Sequence, residues 1–79
     1  MNYVYILECA DGSFYTGWTN NIVRRYKAHQ AGHGAKYTKS HKPIRIVHLE
    51  IFEEKTDAMK REYAIKHMSR AEKEKLIST

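Results

Sequence analysis

Residues 3–10 carry apolar side chains on both sides of a strand's alternation. Tyr3, Tyr5, Leu7 and Cys9 fall on one face, and Val4 and Ile6 on the other. A strand apolar on both faces is covered on both, so this one is predicted to be central in a small sheet with helices against it. Ser13 to Trp18 has the same aromatic and β-branched character, and Asp11-Gly12 between the two runs signals a hairpin. From about Asn21 to Ala31 the period becomes helical, with Thr19 or Asn20 as N-cap and Gly32 as the stop. A loop is expected from His33 to Pro43, and a third strand from Ile44 to Phe52, begun by the only proline where a missing N–H does least harm. Asp57 to Met68 reads as a second helix capped by Thr56. Ser69 followed by Glu72 is a capping-box pattern, which opens a third helix over Arg70 to Ile77. The predicted fold is α+β, a three-stranded antiparallel sheet flanked by helices in the order β-β-α-β-α-α. With no internal repeat or linker, residues 1–79 are expected to form one domain.

The hairpin register decides which side chains share a face. A two-residue Asp11-Gly12 turn, which turn statistics mildly favour, would put Tyr5 and Tyr15 on opposite faces. A three-residue loop, Ala10 to Gly12 with Gly12 left-handed, pairs Leu7 with Tyr15 and Tyr5 with Gly17, and the two tyrosines then lie together. The second register is adopted as a hypothesis linked to function. It leaves Gly17 opposite Tyr5 with no side chain, as a pocket beside a phenol. Packing in the sheet is the commoner fate of a strand tyrosine.

On the first helix, at ~100° per residue, Ile22, Tyr26 and Val23 form the expected buried arc, and Arg24 points nearly opposite, as a solvated charge or a phosphate contact. Arg25 and His29, four apart, lie on the flank of that arc, where a side chain reaches a cleft; a surface Arg and a boundary His are the plainer reading. On the second helix Ala58, Ile65, Met59 and Met68 span one apolar side, and Glu62 falls inside it. A lone buried carboxylate costs several kcal/mol unless paired, protonated or bound to a cation. One resolution is an ion pair with Lys66, worth only ~0.3–0.5 kcal/mol, at the domain edge. The other is a hard divalent cation, since Mg²⁺ is held by one or two carboxylates with waters and substrate phosphate.

Composition narrows the field. A chain of 79 residues has room for one small core and no separate substrate domain. Fourteen Lys and Arg against nine Asp and Glu give a net charge of +5, which attracts polyanions such as nucleic acid and also serves plain solubility. The single cysteine, Cys9, excludes an internal disulfide and is expected as a small buried hydrophobe in a reducing, cytoplasmic setting. The longest apolar run, Tyr3 to Leu7, is far below the ~20 residues that span a bilayer, and no signal-peptide pattern precedes it, so no membrane role is expected. The Gly32 to Thr38 loop has Gly-x-Gly but no P-loop ending. Its Lys36, Tyr37 and Thr38, with Lys39 and Lys42 beyond, suit contacts to a nucleic-acid backbone, or form a mobile basic loop. His29 and His33 lack the further ligands of a zinc site. Trp18 and Phe14 are expected in the core.

The ordered set Val4-Tyr5-Ile6, Tyr15-Thr16-Gly17, Arg25, His29 and Glu62 closely resembles the GIY-YIG nuclease family. The likeness covers essentially the whole chain. It is strongest to the small stand-alone members, which share the Gly34-Ala35-Lys36-Tyr37-Thr38 loop and the Arg61-Glu62-Tyr63-Ala64-Ile65-Lys66 stretch. Val4 stands where the family has glycine, and Thr16 where it usually has isoleucine or valine.

The resemblance implies a divalent-metal-dependent nuclease hydrolysing phosphodiester bonds in DNA, linked to repair or processing. Tyr5, Tyr15, Arg25, His29 and Glu62 would be its catalytic residues and Gly17 a structural one. It implies that Glu62 holds one Mg²⁺ or Mn²⁺ and that Arg25 braces the charge of the transition state. Tyr5 would orient or deprotonate the water, Tyr15 would position the scissile phosphate, and His29 would support Tyr5 or relay its proton. Arg24, Lys36, Tyr37, Thr38 and Lys39 form the expected nucleic-acid surface, on a monomer or weak homodimer. So small a footprint predicts substrate selection by shape. The rivals are a binding module on the same scaffold that turns over no substrate, or none without a partner, and a regulatory protein whose basic surface binds acidic partners.

Overall fold

The two-sided apolar pattern at the start of the chain becomes the middle strand of a sheet. The computed structural model describes residues 1–79. Its elements are β1 (Asn2–Cys9), β2 (Phe14–Thr19), α1 (Ile22–Gln30), α2 (Lys36–Ser40), β3 (Pro43–Phe52), α3 (Lys55–Lys66) and α4 (Arg70–Ile77). The sheet order is β2-β1-β3, with both pairings antiparallel. The expected β-β-α-β-α-α order therefore holds, with α2 added inside the segment expected to be a loop.

The hairpin takes the longer turn. Cys9 N–H donates to the Ser13 carbonyl at 2.8 Å and Gly12 N–H to the Cys9 carbonyl at 2.9 Å, which closes a loop of Ala10, Asp11 and Gly12. Gly12 sits at φ 85°, a conformation that a side chain would strain. Asp11 braces the turn by accepting from the Ser13 N–H at 3.0 Å and hydroxyl at 2.6 Å. Leu7 then faces Tyr15 and Tyr5 faces Gly17.

The two faces of the sheet bury different chemistry. Val4 and Ile6 meet Ala58 and Ile65 of α3 in the innermost apolar cluster, with Phe14, Trp18, Met68 and Leu76 among the side chains packed around it. The rotation of α3 over the sheet is fixed by Arg61, whose guanidinium forks onto Glu50 of β3 at 2.8 and 3.0 Å. His48 adds a third contact to that carboxylate at 2.7 Å. The opposite face carries Tyr5, and there α1 and α2 supply the covering side chains.

Several expected boundaries and faces shift. Asn21, not Thr19 or Asn20, caps α1, its Oδ1 accepting from Arg24 N–H at 3.1 Å. The Thr19 hydroxyl is occupied with the Asn21 backbone. Gly32 ends the helix at φ 83°, as expected. Val23 is 63% exposed, because the buried line of α1 runs through Ile22, Tyr26 and His29 at three- and four-residue steps and leaves Val23 to one side. Met59 is likewise 48% exposed beside the Ala58–Ile65–Met68 line. The third predicted strand begins at Pro43, and α3 starts at Lys55 after Glu54, with no side-chain cap from Thr56. The Ser69–Glu72 capping box forms in full at the start of α4.

Candidate active site

Tyr5 enters from the middle of β1, the most enclosed strand, and is only 1% exposed. Its cross-strand neighbour is Gly17, and the phenol lies over it. A Cβ added at Gly17 would stand 2.5 Å from Tyr5 Oη, 2.6 Å from Tyr5 Cζ and 3.0 Å from the Tyr15 ring. The space expected to be an open pocket is thus filled by Tyr5 itself. Gly17 is required because the ring occupies the place of its side chain. Tyr15 shares the face, its ring centroid 6.4 Å from that of Tyr5.

His29 closes the group from the last turn of α1 and is fully buried. Its Nε2 is 2.7 Å from Tyr5 Oη, and its Nδ1 is 2.8 Å from Thr38 Oγ1 of α2. The approach of α2 depends on Gly34, where an added Cβ would stand 2.6 Å from His29 Cγ and 2.8 Å from His29 Cα. Burial, seconded by the Arg25 charge, pushes the imidazole down from 6.5 to about 4. Burial pushes the Tyr5 phenol the other way, up to about 12, against the pull of Arg25. At neutral pH both groups are therefore uncharged, and a hydrogen bond joins the phenol to the imidazole.

Arg25, one turn before His29, is the positive charge of the group. Burial works against its ionisation, and the phenols of Tyr5 and Tyr15 more than offset this, so the guanidinium is held protonated. No hydrogen bond of good geometry joins Arg25 to either phenol, and its Nε is buried with no partner. A buried donor without an acceptor is costly, and a ligand oxygen would relieve it.

Glu62 stands at the margin. Its side chain is 24% exposed, and the Lys66 ammonium lies 3.6 Å from Oε2. The expected ion pair is therefore present, at an exposure that makes it weak. Glu62 is still near enough to Tyr5 to oppose ionisation of the phenol, as the smallest of the influences on it. A single carboxylate is the kind of oxygen donor that suits a hard ion keeping most of its waters. The fold holds no group of three His, Cys, Asp or Glu side chains of the kind that encloses a metal ion.

The family model described as the GIY-YIG catalytic domain matches residues 1–75. The chain belongs to the GIY-YIG family. It is 56% identical to the UPF0213 protein CPE1444 of Clostridium perfringens over 79 residues, which is 100% of this chain and 85% of that one. It is similar to the solution NMR structure of the UPF0213 protein BH0048 from Bacillus halodurans, with a TM-score of 0.64 and 54% identity over 99% of this chain and 84% of that one. The NMR structure of the protein EF2693 from E. faecalis matches with a TM-score of 0.65 and 42% identity, over 98% of this chain and 82% of that one. The GIY-YIG family is a nuclease superfamily, so the class of this domain is that of an endonuclease-type hydrolase.

Around the GIY-YIG triplets the structure explains the departure at Val4 and not the one at Thr16. Val4 points away from the tyrosines into the apolar cluster against α3, where a larger side chain than glycine packs well. Thr16 is also turned from the site and buried, and its hydroxyl has no partner. Among the residues expected to meet nucleic acid, Arg24, Lys36 and Lys39 are exposed. Tyr37 is half-buried and stacks between Tyr15, at 6.0 Å, and His41, at 4.0 Å. Thr38 does not belong in that set. It is 1% exposed, its hydroxyl engaged with His29 and the Ala35 carbonyl, so no strand can reach it. Sequence reasoning also gave no role to Gly34 or Arg61. Both lie in the stretches shared with the small stand-alone members, which was the available signal.

Proposed function

We propose that this GIY-YIG domain is a divalent-metal-dependent nuclease that hydrolyses phosphodiester bonds in DNA, selecting substrate by shape and serving repair or processing. The observation that carries the reading is the convergence of Tyr5, Tyr15, Arg25 and His29 on one face of the sheet, with the unpartnered Arg25 Nε among them. Glu62 would hold one Mg²⁺ or Mn²⁺, and such an ion supplies charge stabilisation to the phosphoryl and leaving oxygens. Arg25 donates to a non-bridging phosphate oxygen and meets the charge that grows there in the transition state. Tyr15 flanks the phosphate. A water takes its place against Tyr5 Oη, which receives the water's proton as it passes its own to His29 Nε2. The two transfers are coupled, because burial opposes charge on the phenol and on the imidazole alike. Arg24, Lys36, Tyr37 and Lys39 serve the nucleic-acid backbone, by charge or by phenol.

The test is cleavage of labelled single-stranded, duplex and branched DNA and of RNA by the wild type, Arg25→Ala and Glu62→Ala, with Mg²⁺ or with chelator. The wild type is expected to cut DNA only with metal, and each variant to lose ~10²–10³-fold in rate. Cleavage that survives in both variants, or without metal, overturns the reading. Wild-type binding without cleavage, unchanged in Glu62→Ala, would instead identify a binding module.

A further inference from the structure

Thr38 touches the one ring nitrogen of His29 that Tyr5 leaves free. We propose that Thr38 is a positioning residue that holds His29 in the Nδ1–H tautomer, so that the Nε2 lone pair is reserved for the Tyr5 proton. The catalytic consequence rests on the hydrolytic reading above, but the tautomer itself is measurable without turnover.

The assignment follows from counting protons. Tyr5 O–H is buried and needs an acceptor, and its hydrogen-bond partner is His29 Nε2, at 2.7 Å. Arg25, the nearest charged group, can only donate. His29 Nε2 must then be the bare nitrogen, and in a neutral ring the proton falls to Nδ1. Nδ1–H needs an acceptor in turn, and that is Thr38 Oγ1, at 2.8 Å. The hydroxyl is free to accept because its own proton goes to the Ala35 carbonyl, at 3.2 Å. Every donor in the line Tyr5–His29–Thr38–Ala35 is thus used once. The reverse arrangement, Thr38 donating to Nδ1 and Nε2–H donating to Tyr5, leaves the phenol proton buried with no acceptor. That state is disfavoured on the scale of an unsatisfied buried group.

No carboxylate takes part. The titratable groups facing the imidazole are Tyr5 from β1, Tyr15 from β2 and Arg25 on α1, while α2 presents the neutral Thr38. A carboxylate at Nδ1 would draw the ring toward imidazolium, whereas a hydroxyl fixes the same tautomer and adds no charge. His29 therefore stays a neutral proton acceptor beside a guanidinium. Gly34 belongs to the same device, since only a residue without Cβ lets the chain cross His29 closely enough to bring Thr38 to it.

Long-range proton–nitrogen NMR on nitrogen-15-labelled protein near pH 7 tests the assignment, with His29→Gln identifying the His29 signals among the five histidines. The wild type is expected to show a protonated Nδ1 and a bare Nε2 at His29. Thr38→Val removes the acceptor, and with it the Ala35 bond that favours the Nδ1–H form, so it should move the tautomer ratio toward Nε2–H by about fivefold, and Thr38→Ser should restore it. In cleavage assays Thr38→Val should lower kcat by ~10–10²-fold with KM unchanged, again with rescue by serine. A wild-type His29 in the Nε2–H form overturns the proposal, and so does a tautomer that ignores Thr38→Val. If the valine variant does not fold, the wild-type spectrum still decides. A wild type with the expected tautomer that cuts no substrate removes the hydrolytic reading alone. One that cuts with the opposite tautomer removes this proposal alone.

Discussion

The hydroxyls of Tyr5 and Thr16 are both buried in neighbouring strands, and only that of Tyr5 has a partner. An orphaned hydroxyl is a net loss that an isosteric methyl removes. Thr16→Val is therefore expected to stabilise the fold by ~1 kcal/mol, read as a higher urea midpoint, with cleavage unchanged. His29 gives the opposite lesson, a titratable group kept neutral at a cost in acid. Its folded value of about 4 lies below the ordinary 6.5, so between the two the unfolded chain binds more protons than the folded one. Its contribution is fully present above pH 6.5 and gone below about 4, at most ~3 kcal/mol. Urea titrations across that window should show stability falling with acid in the wild type and a flatter response in His29→Gln. The Glu50 carboxyl, held below its ordinary value chiefly by its hydrogen bonds from Arg61, adds a loss of its own in acid. Sequence alone made Arg25, His29 and Glu62 visible, as polar side chains on or beside apolar helix faces. It did not reveal the hydrogen-bond line, because Thr38 looks like any loop threonine until α2 folds over α1.

At the level of elements, legibility followed local signals. The start of α4 was readable to the residue because the capping box is a local exchange of two hydrogen bonds. The five-residue α2 was not readable, since it has no side-chain cap and is too short to show an apolar period. Val23 and Met59 were misplaced for one reason: a helix lying on a flat sheet buries a narrower stripe than its apolar residues suggest, and the stripe's edges are set by the partner. The hairpin register was open until the tyrosines were required to share a face. Gly34→Ala tests how far α2 matters as a unit. The added methyl collides with His29 and its backbone, so a loss of ~1–3 kcal/mol in stability is expected by denaturation, with cleavage reduced beyond what unfolding explains.

For the whole molecule, the decisive property is a division between faces. The apolar cluster against α3 supplies cohesion and the opposite face gathers Tyr5, Tyr15 and His29, while α3 also carries Glu62, so a change in the cluster that shifts α3 moves Glu62 with it. The molecule is 29 Å in its longest dimension, which spans roughly eight steps of a nucleic-acid strand. Few phosphates are within reach, and the charge of +5 must act through a handful of exposed cations. Replacing Lys36 and Lys39 together by Gln should weaken DNA binding and reduce the slope of log affinity against log salt by roughly 1–2, measured by fluorescence anisotropy over a salt series. The place of β1 has a consequence in time as well as in space. Within this domain the middle strand of the sheet is made before either neighbour, and its second neighbour is not made until residues 43–52. Until then one edge of a strand rich in tyrosine and aliphatic residues stands open, a hazard for pairing between nascent chains. Tyr5 belongs to β1 and Glu62 to α3, so every other strand and both α1 and α2 are made between them. A nascent chain would thus lack the proposed set until α3 has been made, however early its tyrosines are in place.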